Sequence, residues 1–204
     1  MANSYNPAIS FGFATSALET LAVALGAYSN ATGVGSIALG SYNKSGSDEQ
    51  RYNPYAVASG NFSLAIGQSS ATSFASVALG YGAYANGNDA LAIGKHTSAN
   101  NNQSISIGNK TYASNGGVSF GVETSALMYS VAIGKYAYAN QNNAFSYGYK
   151  SSAMGVYSFA YGENAKASGS SSYSFGKDFI AASDNAYTFG YSSNVAGNHS
   201  YSFG

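Results

Sequence analysis

Cysteine and tryptophan are missing from this 204-residue chain, proline occurs twice, and charged side chains make up only 8%, against roughly 25% in an ordinary soluble domain. Without cysteine there is no disulfide scaffold, thiolate metal site or cysteine nucleophile. Eight basic and eight acidic residues cancel to a net charge of zero, so no basic field is present to hold nucleic acid. No apolar run approaches the roughly 20 residues of a membrane helix, and direct membrane insertion of this segment is not expected. The opening Met1-Ala2-Asn3-Ser4-Tyr5 has neither the basic nor the apolar region of a signal peptide. What the chain does have is 25 glycines, 19 tyrosines and 11 phenylalanines. An aromatic content of 15% and a hydrophobic content of 45% oppose simple disorder.

The glycines are periodic. An apolar run closes on Gly12, Gly26, Gly40, Gly67, Gly80, Gly94, Gly108, Gly121, Gly134, Gly148, Gly162, Gly176, Gly190 and Gly204, at spacings of 13 or 14 apart from one step of 27. That step equals two repeats with Asn53 in the place of a glycine, and asparagine tolerates positive φ better than most residues. The chain therefore reads as one repeat domain, 1–204, of about fifteen rungs, with a degenerate rung at 41–53. There Gln50 and Tyr52 replace the apolar pair, beside Lys44, Asp48, Glu49 and Arg51. The segment is a frayed rung or a bulging loop.

Within each rung, large apolar residues stand one and three places before the closing glycine, with small residues between them. The pairs are Val23/Leu25, Ile37/Leu39, Leu64/Ile66, Val77/Leu79, Leu91/Ile93, Ile105/Ile107, Val118/Phe120 and Val131/Ile133. In the aromatic-rich rungs of 135–204 they become Phe145/Tyr147, Phe159/Tyr161, Tyr173/Phe175, Tyr187/Phe189 and Tyr201/Phe203. Alternation at period two is the signature of a strand. A second stretch such as Ala83-Tyr84-Ala85 alternates likewise, and glycines at 33, 60, 87, 155, 169 and 197 mark the turn between the two. Glycine there would permit the positive φ of a tight turn. Each rung is thus strand, turn, strand, turn. A unit this short buries nothing alone and must stack on its neighbours, giving an all-β parallel solenoid. The large pairs are expected to form its core.

No constellation of catalytic groups is visible. His96 and His199 lie about seven repeats apart and cannot share a metal ion or a triad. Serine recurs as a structural small residue, so no one serine stands out as a nucleophile. Glu19, Asp89, Glu123, Glu163, Asp178 and Asp184 are isolated along the chain. No catalytic, metal or cofactor site is expected. Lys95, Lys135 and Lys177 each follow a closing glycine and share one turn corner, where they either protect the surface or form a weak polyanion-binding edge.

Ser76-Val77-Ala78-Leu79-Gly80, the Ala83, Ala85, Gly87, Asn88 spacing, Ala90-Leu91-Ala92-Ile93-Gly94 and Ser130-Val131-Ala132-Ile133-Gly134 together resemble the head repeat of YadA-like trimeric autotransporter adhesins. The same repeat type occurs in bacteriophage tail fibres. The resemblance implies a left-handed parallel β-roll, three rolls side by side as a homotrimer, and a place outside the cell. No neck, heptad stalk or membrane-anchor pattern accompanies it, and the Tyr-Ser-Phe-Gly rungs are unlike the adhesin pattern. Three functions are open on these grounds. The chain is an adhesin head attaching to host cell or matrix surfaces, a tail-fibre or spacer segment that self-assembles and stacks end to end, or an ice-binding face. Ice binding would call for a regular outward threonine array, whereas Thr72, Thr97, Thr111, Thr124 and Thr188 are scattered.

Overall fold

The computed structural model of the chain describes residues 7–40 and 55–204. Their regular structure is entirely β, in strands of two to five residues. Among them no helix is long and apolar enough to cross a membrane. Each repeat contributes a longer strand that ends one residue before or one residue beyond its closing glycine, from Ile9–Phe11 through to Tyr201–Phe203, and a shorter one, from Ser16–Ala17 to Asn194–Val195. Longer strands pair with longer strands and shorter with shorter, always in parallel. The chain divides into two compact units, within residues 1–104 and 105–204. Among the described residues, the first holds six longer and six shorter strands, the second eight and seven. Register follows the repeat in both: Val77 opposes Leu91, Val118 opposes Val131, and Tyr173 opposes Tyr187.

The step of 27 is a single step of the ladder. Ile37 opposes Leu64 directly, and Asn30 opposes Val57. No rung therefore stands between them, and the described residues hold fourteen longer strands, against the expected fifteen or so rungs. The degenerate rung expected at 41–53 lies outside the described residues.

The interior is the reverse of the expectation. A typical rung points four small side chains inward, two from each strand: Ser76, Ala78, Ala83 and Ala85 in one rung, and Ser130, Ala132, Ala137 and Ala139 in another, all fully buried. None of the expected core pairs is buried within a single chain. In the first unit Val23, Ile37, Leu64, Val77 and Leu91 form one outer column, and Leu25, Leu39, Ile66, Leu79 and Ile93 a second. In the second unit the columns are Ile105, Val118, Val131, Phe145, Phe159, Tyr173 and Tyr187, and Ile107, Phe120, Ile133, Tyr147, Tyr161, Phe175 and Phe189. The reason is thickness. Two short parallel sheets joined by tight corners leave a gap that alanine, serine and threonine fill; among the described residues Phe179 is the one large side chain fully buried there.

Hydroxyls inside this gap are paired across it. Ser106 and Thr111 meet at 2.7 Å, Ser119 and Thr124 at 2.6 Å, and Ser146 and Ser151 at 2.7 Å. Thr97 faces Ala92 instead, and its buried Oγ1 has no hydrogen-bond partner.

Corners carry the strain. Among the described residues, twenty-four non-glycine residues have positive φ, including Glu123 at 52°, Tyr136 at 62°, Lys150 at 55° and Tyr157 at 55°. Such a backbone costs about 1–2 kcal/mol per L-residue, and the stack imposes it. The Lys150 amide donates to the Lys135 carbonyl at 2.9 Å, and the Tyr157 amide to the Asn142 carbonyl at 3.0 Å, so corners are tied rung to rung as strands are. Asparagines add to this: the Phe74 amide donates to Asn88 Oδ1 and the Asn88 amide to Asn102 Oδ1, each at 3.2 Å. The mid-rung glycines at 33, 60, 87, 155 and 169 do not have positive φ. They are glycine because a Cβ would overlap the next rung's backbone, as on Gly87 against the Asn101 carbonyl. Closing glycines are constrained twice. Gly121 has φ 139°, and a Cβ on it would overlap the Gly134 carbonyl oxygen.

Thermal melts check both points. Gly121→Ala is expected to lower stability by about 2–4 kcal/mol through strain and overlap. Ser171→Gly, at φ 52°, should be neutral or stabilising by up to about 1 kcal/mol, since only left-handed strain is relieved. Ala92→Ser should supply the missing partner of Thr97 and raise stability by about 1 kcal/mol.

Candidate interaction surface

The outer face of the longer-strand sheet is the most distinctive surface of each unit. Aliphatic columns cover it in the first unit. In the second they turn aromatic, and the parallel register lays identical rings over one another. Phe145 and Phe159 stack with centroids 4.7 Å apart, Tyr173 and Tyr187 at 5.0 Å, and Tyr187 and Tyr201 at 4.9 Å. In the second column Tyr147 and Tyr161 stack at 5.0 Å, Phe175 and Phe189 at 5.1 Å, and Phe189 and Phe203 at 5.5 Å. These rings are only half covered: Tyr161 is 47% exposed and Phe120, at the start of the second unit, 52%. Contiguous apolar surface of this extent is unusual on a monomer and marks an interaction face.

Charge collects at the corner after the closing glycine. Lys95, Lys135 and Lys177 end the strands Leu91–Lys95, Val131–Lys135 and Tyr173–Lys177, in the corner position expected for them. Acidic residues isolated in sequence become neighbours here. Glu123 lies 3.5 Å from Lys110, and Glu163 lies 3.2 Å from Lys177. Asn164 donates to Asp178 Oδ1 at 2.7 Å. The hydrogen bond to the Glu163 carboxylate, and then its charge, hold the Lys177 ammonium above its ordinary pKa. Spacings of 13 and 14 residues, the period of the repeat, are the signal that would have paired these groups in advance. Other corner cations rest on rings: Lys95 Nζ is 5.9 Å from the Tyr81 centroid, Lys135 Nζ 5.1 Å from that of Tyr136, and Lys150 Nζ 5.1 Å from that of Tyr149.

His96 packs edge-on against Tyr81 with centroids 5.0 Å apart, and His199 is an exposed corner residue. Among the described residues, no three His, Asp or Glu side chains converge where they could hold a metal ion. Thr97, Thr111, Thr124 and Thr188 are buried inside the roll, which removes the outward threonine array that ice binding would need.

A small-residue interior and apolar columns on the outside make this a parallel β-solenoid repeat module. The family model described as the YadA head domain repeat, in two copies, matches residues 8–43, 54–70, 71–97, 85–111 and 128–151, together more than half of the chain. The chain belongs to this family. No curated protein matches it.

The aromatic columns make a measurable contribution of their own. Stacked pairs add about 0.5–1.5 kcal/mol each beyond area burial, and Tyr187 has a stacked neighbour on either side. Tyr187→Leu should lower stability by about 1–3 kcal/mol on that basis and reduce the near-ultraviolet circular dichroism. A double-mutant cycle with Tyr173 that shows no coupling would refute the stacking contribution.

Proposed function

We propose that this chain is a non-enzymatic, extracellular head module that attaches to host cell or matrix surfaces, acting as a side-by-side homotrimer. One observation carries the reading. The roll is too thin to hide its own large apolar residues, so both columns of each unit remain at the surface of a single chain. Covering them requires partners, and identical partners related by a closed rotation cover each other without leaving an open edge. Membership in the YadA head family supports the trimer and the adhesin role. Attachment would then use the surfaces that the trimer leaves free: the shorter-strand sheet and the corners.

Sedimentation and attachment assays test the two halves of this proposal. The purified chain should sediment as a trimer at micromolar concentration. Ile107→Asp puts a charge on the outer column beside Phe120 without entering the roll interior, so it should yield monomers that keep the far-ultraviolet strand signal. Lys95→Asp at the exposed corner should leave the trimer intact and shift stability by less than about 0.5 kcal/mol. A wild-type monomer would overturn the trimer. A wild-type trimer that binds neither cells nor matrix would favour the spacer or tail-fibre role instead.

A further inference from the structure

The corners of the second unit are not equivalent. Lys110 and Lys177 are neutralised by Glu123 and Glu163. Lys135 and Lys150, on successive rungs between them, have no acidic partner among the described residues. Each lies instead over a tyrosine, Tyr136 and Tyr149 respectively. The two rings meet edge to face, with centroids 6.0 Å apart and planes at 68°. All four side chains are exposed. Their backbones are fixed: Tyr136 and Lys150 are left-handed, at φ 62° and 55°, and the Lys150 amide donates to the Lys135 carbonyl at 2.9 Å. The result is a preorganised patch of two ammonium groups and two rings, one rung of about 4.8 Å across.

We propose that Lys135, Tyr136, Tyr149 and Lys150 form a binding site for an acidic saccharide. The chemistry of the patch selects the ligand. A tyrosine ring offers a flat apolar face to the C–H groups of a sugar, while the flanking ammonium groups meet its carboxylate or sulfate substituents, and rigidity limits the ordering lost on binding. Single-stranded nucleic acid is a poorer fit. Successive bases need a stacking platform along a positive groove, but these rings are crossed, and Glu123 and Glu163 stand on the rungs to either side. A short saccharide avoids both carboxylates; a long phosphate backbone running along the stack does not.

This site deepens the surface-attachment reading and rests on it. Isothermal titration of the whole protein would use three probes: a short heparin oligosaccharide, an unsulfated hyaluronan oligosaccharide and a single-stranded oligonucleotide. Saturable, salt-sensitive binding of a saccharide is expected. Binding of heparin alone would assign sulfate as the recognised anion, and binding of both would show that a carboxylate suffices. Lys135→Gln with Lys150→Gln, which keeps the aliphatic stems, should weaken that binding about tenfold or more, and Tyr149→Ala should weaken it as well. Lys95→Gln, at a corner with a single unpaired lysine, should not. Saccharide binding unchanged in the double variant, or tighter binding of the oligonucleotide than of either saccharide, would overturn the proposal. The two readings fail separately. Saccharide binding without any cell or matrix attachment by the wild type would count against attachment and leave the site standing. Attachment without saccharide binding would do the opposite.

Discussion

The gap between the two sheets is too thin for large side chains, and most of the structure follows from that limit. Four small residues fill a typical rung, so the hydrophobic gain per rung from the roll interior is that of a few methyl groups, roughly 0.8 kcal/mol each. Much of the remaining order comes from backbone hydrogen bonds that tie each rung to the next, through strands and corners alike. The large apolar residues are pushed outward into columns that solvent alone would cover poorly. The same limit makes buried hydroxyls pair across the gap, as Ser119 does with Thr124, because no water fits between them.

Outward columns and stacked rings are two results of one register. Because each rung sits directly over the next, a preference at one place in the repeat becomes a continuous feature along the unit. Valine and isoleucine make a smooth aliphatic ridge, phenylalanine and tyrosine make a ring stack, and lysine or glutamate at the corner makes a row of charge. Function is therefore written in columns. A single substitution changes one position in a column, and its effect is felt by the two rungs it touches.

Period, strand positions and closing glycines were legible in the sequence because each has a direct chemical marker. Alternation of Val77, Ala78 and Leu79 shows a strand, and Gly80 shows where it must approach its neighbour. The inward face was not legible from the same alternation, which is symmetric between the two sides. The usual rule places large residues inside, and here the thinness of the roll reverses it. Left-handed corners were also hidden, since Glu123, Tyr136 and Lys150 carry no mark of that conformation and adopt it only under the constraint of the stack. The interaction surface was half legible: the aromatic columns and the shared lysine corner could be read, while the ion pairs that leave Lys135 and Lys150 distinct appear only when residues 13 and 14 apart are laid side by side.

The direct pairing of Ile37 with Leu64 has a consequence for how such a chain can change. Neighbouring rungs recognise one another by register and not by the length of chain that joins them. A longer connection can therefore join two rungs without shifting any strand, as the direct pairing of Ile37 with Leu64 across the long step shows. Whole rungs can be duplicated or deleted in the same way, each altering the reach of the stack by about 4.8 Å. Corners are thus tolerant sites for variation, where sequence can change while the ladder keeps its pairing.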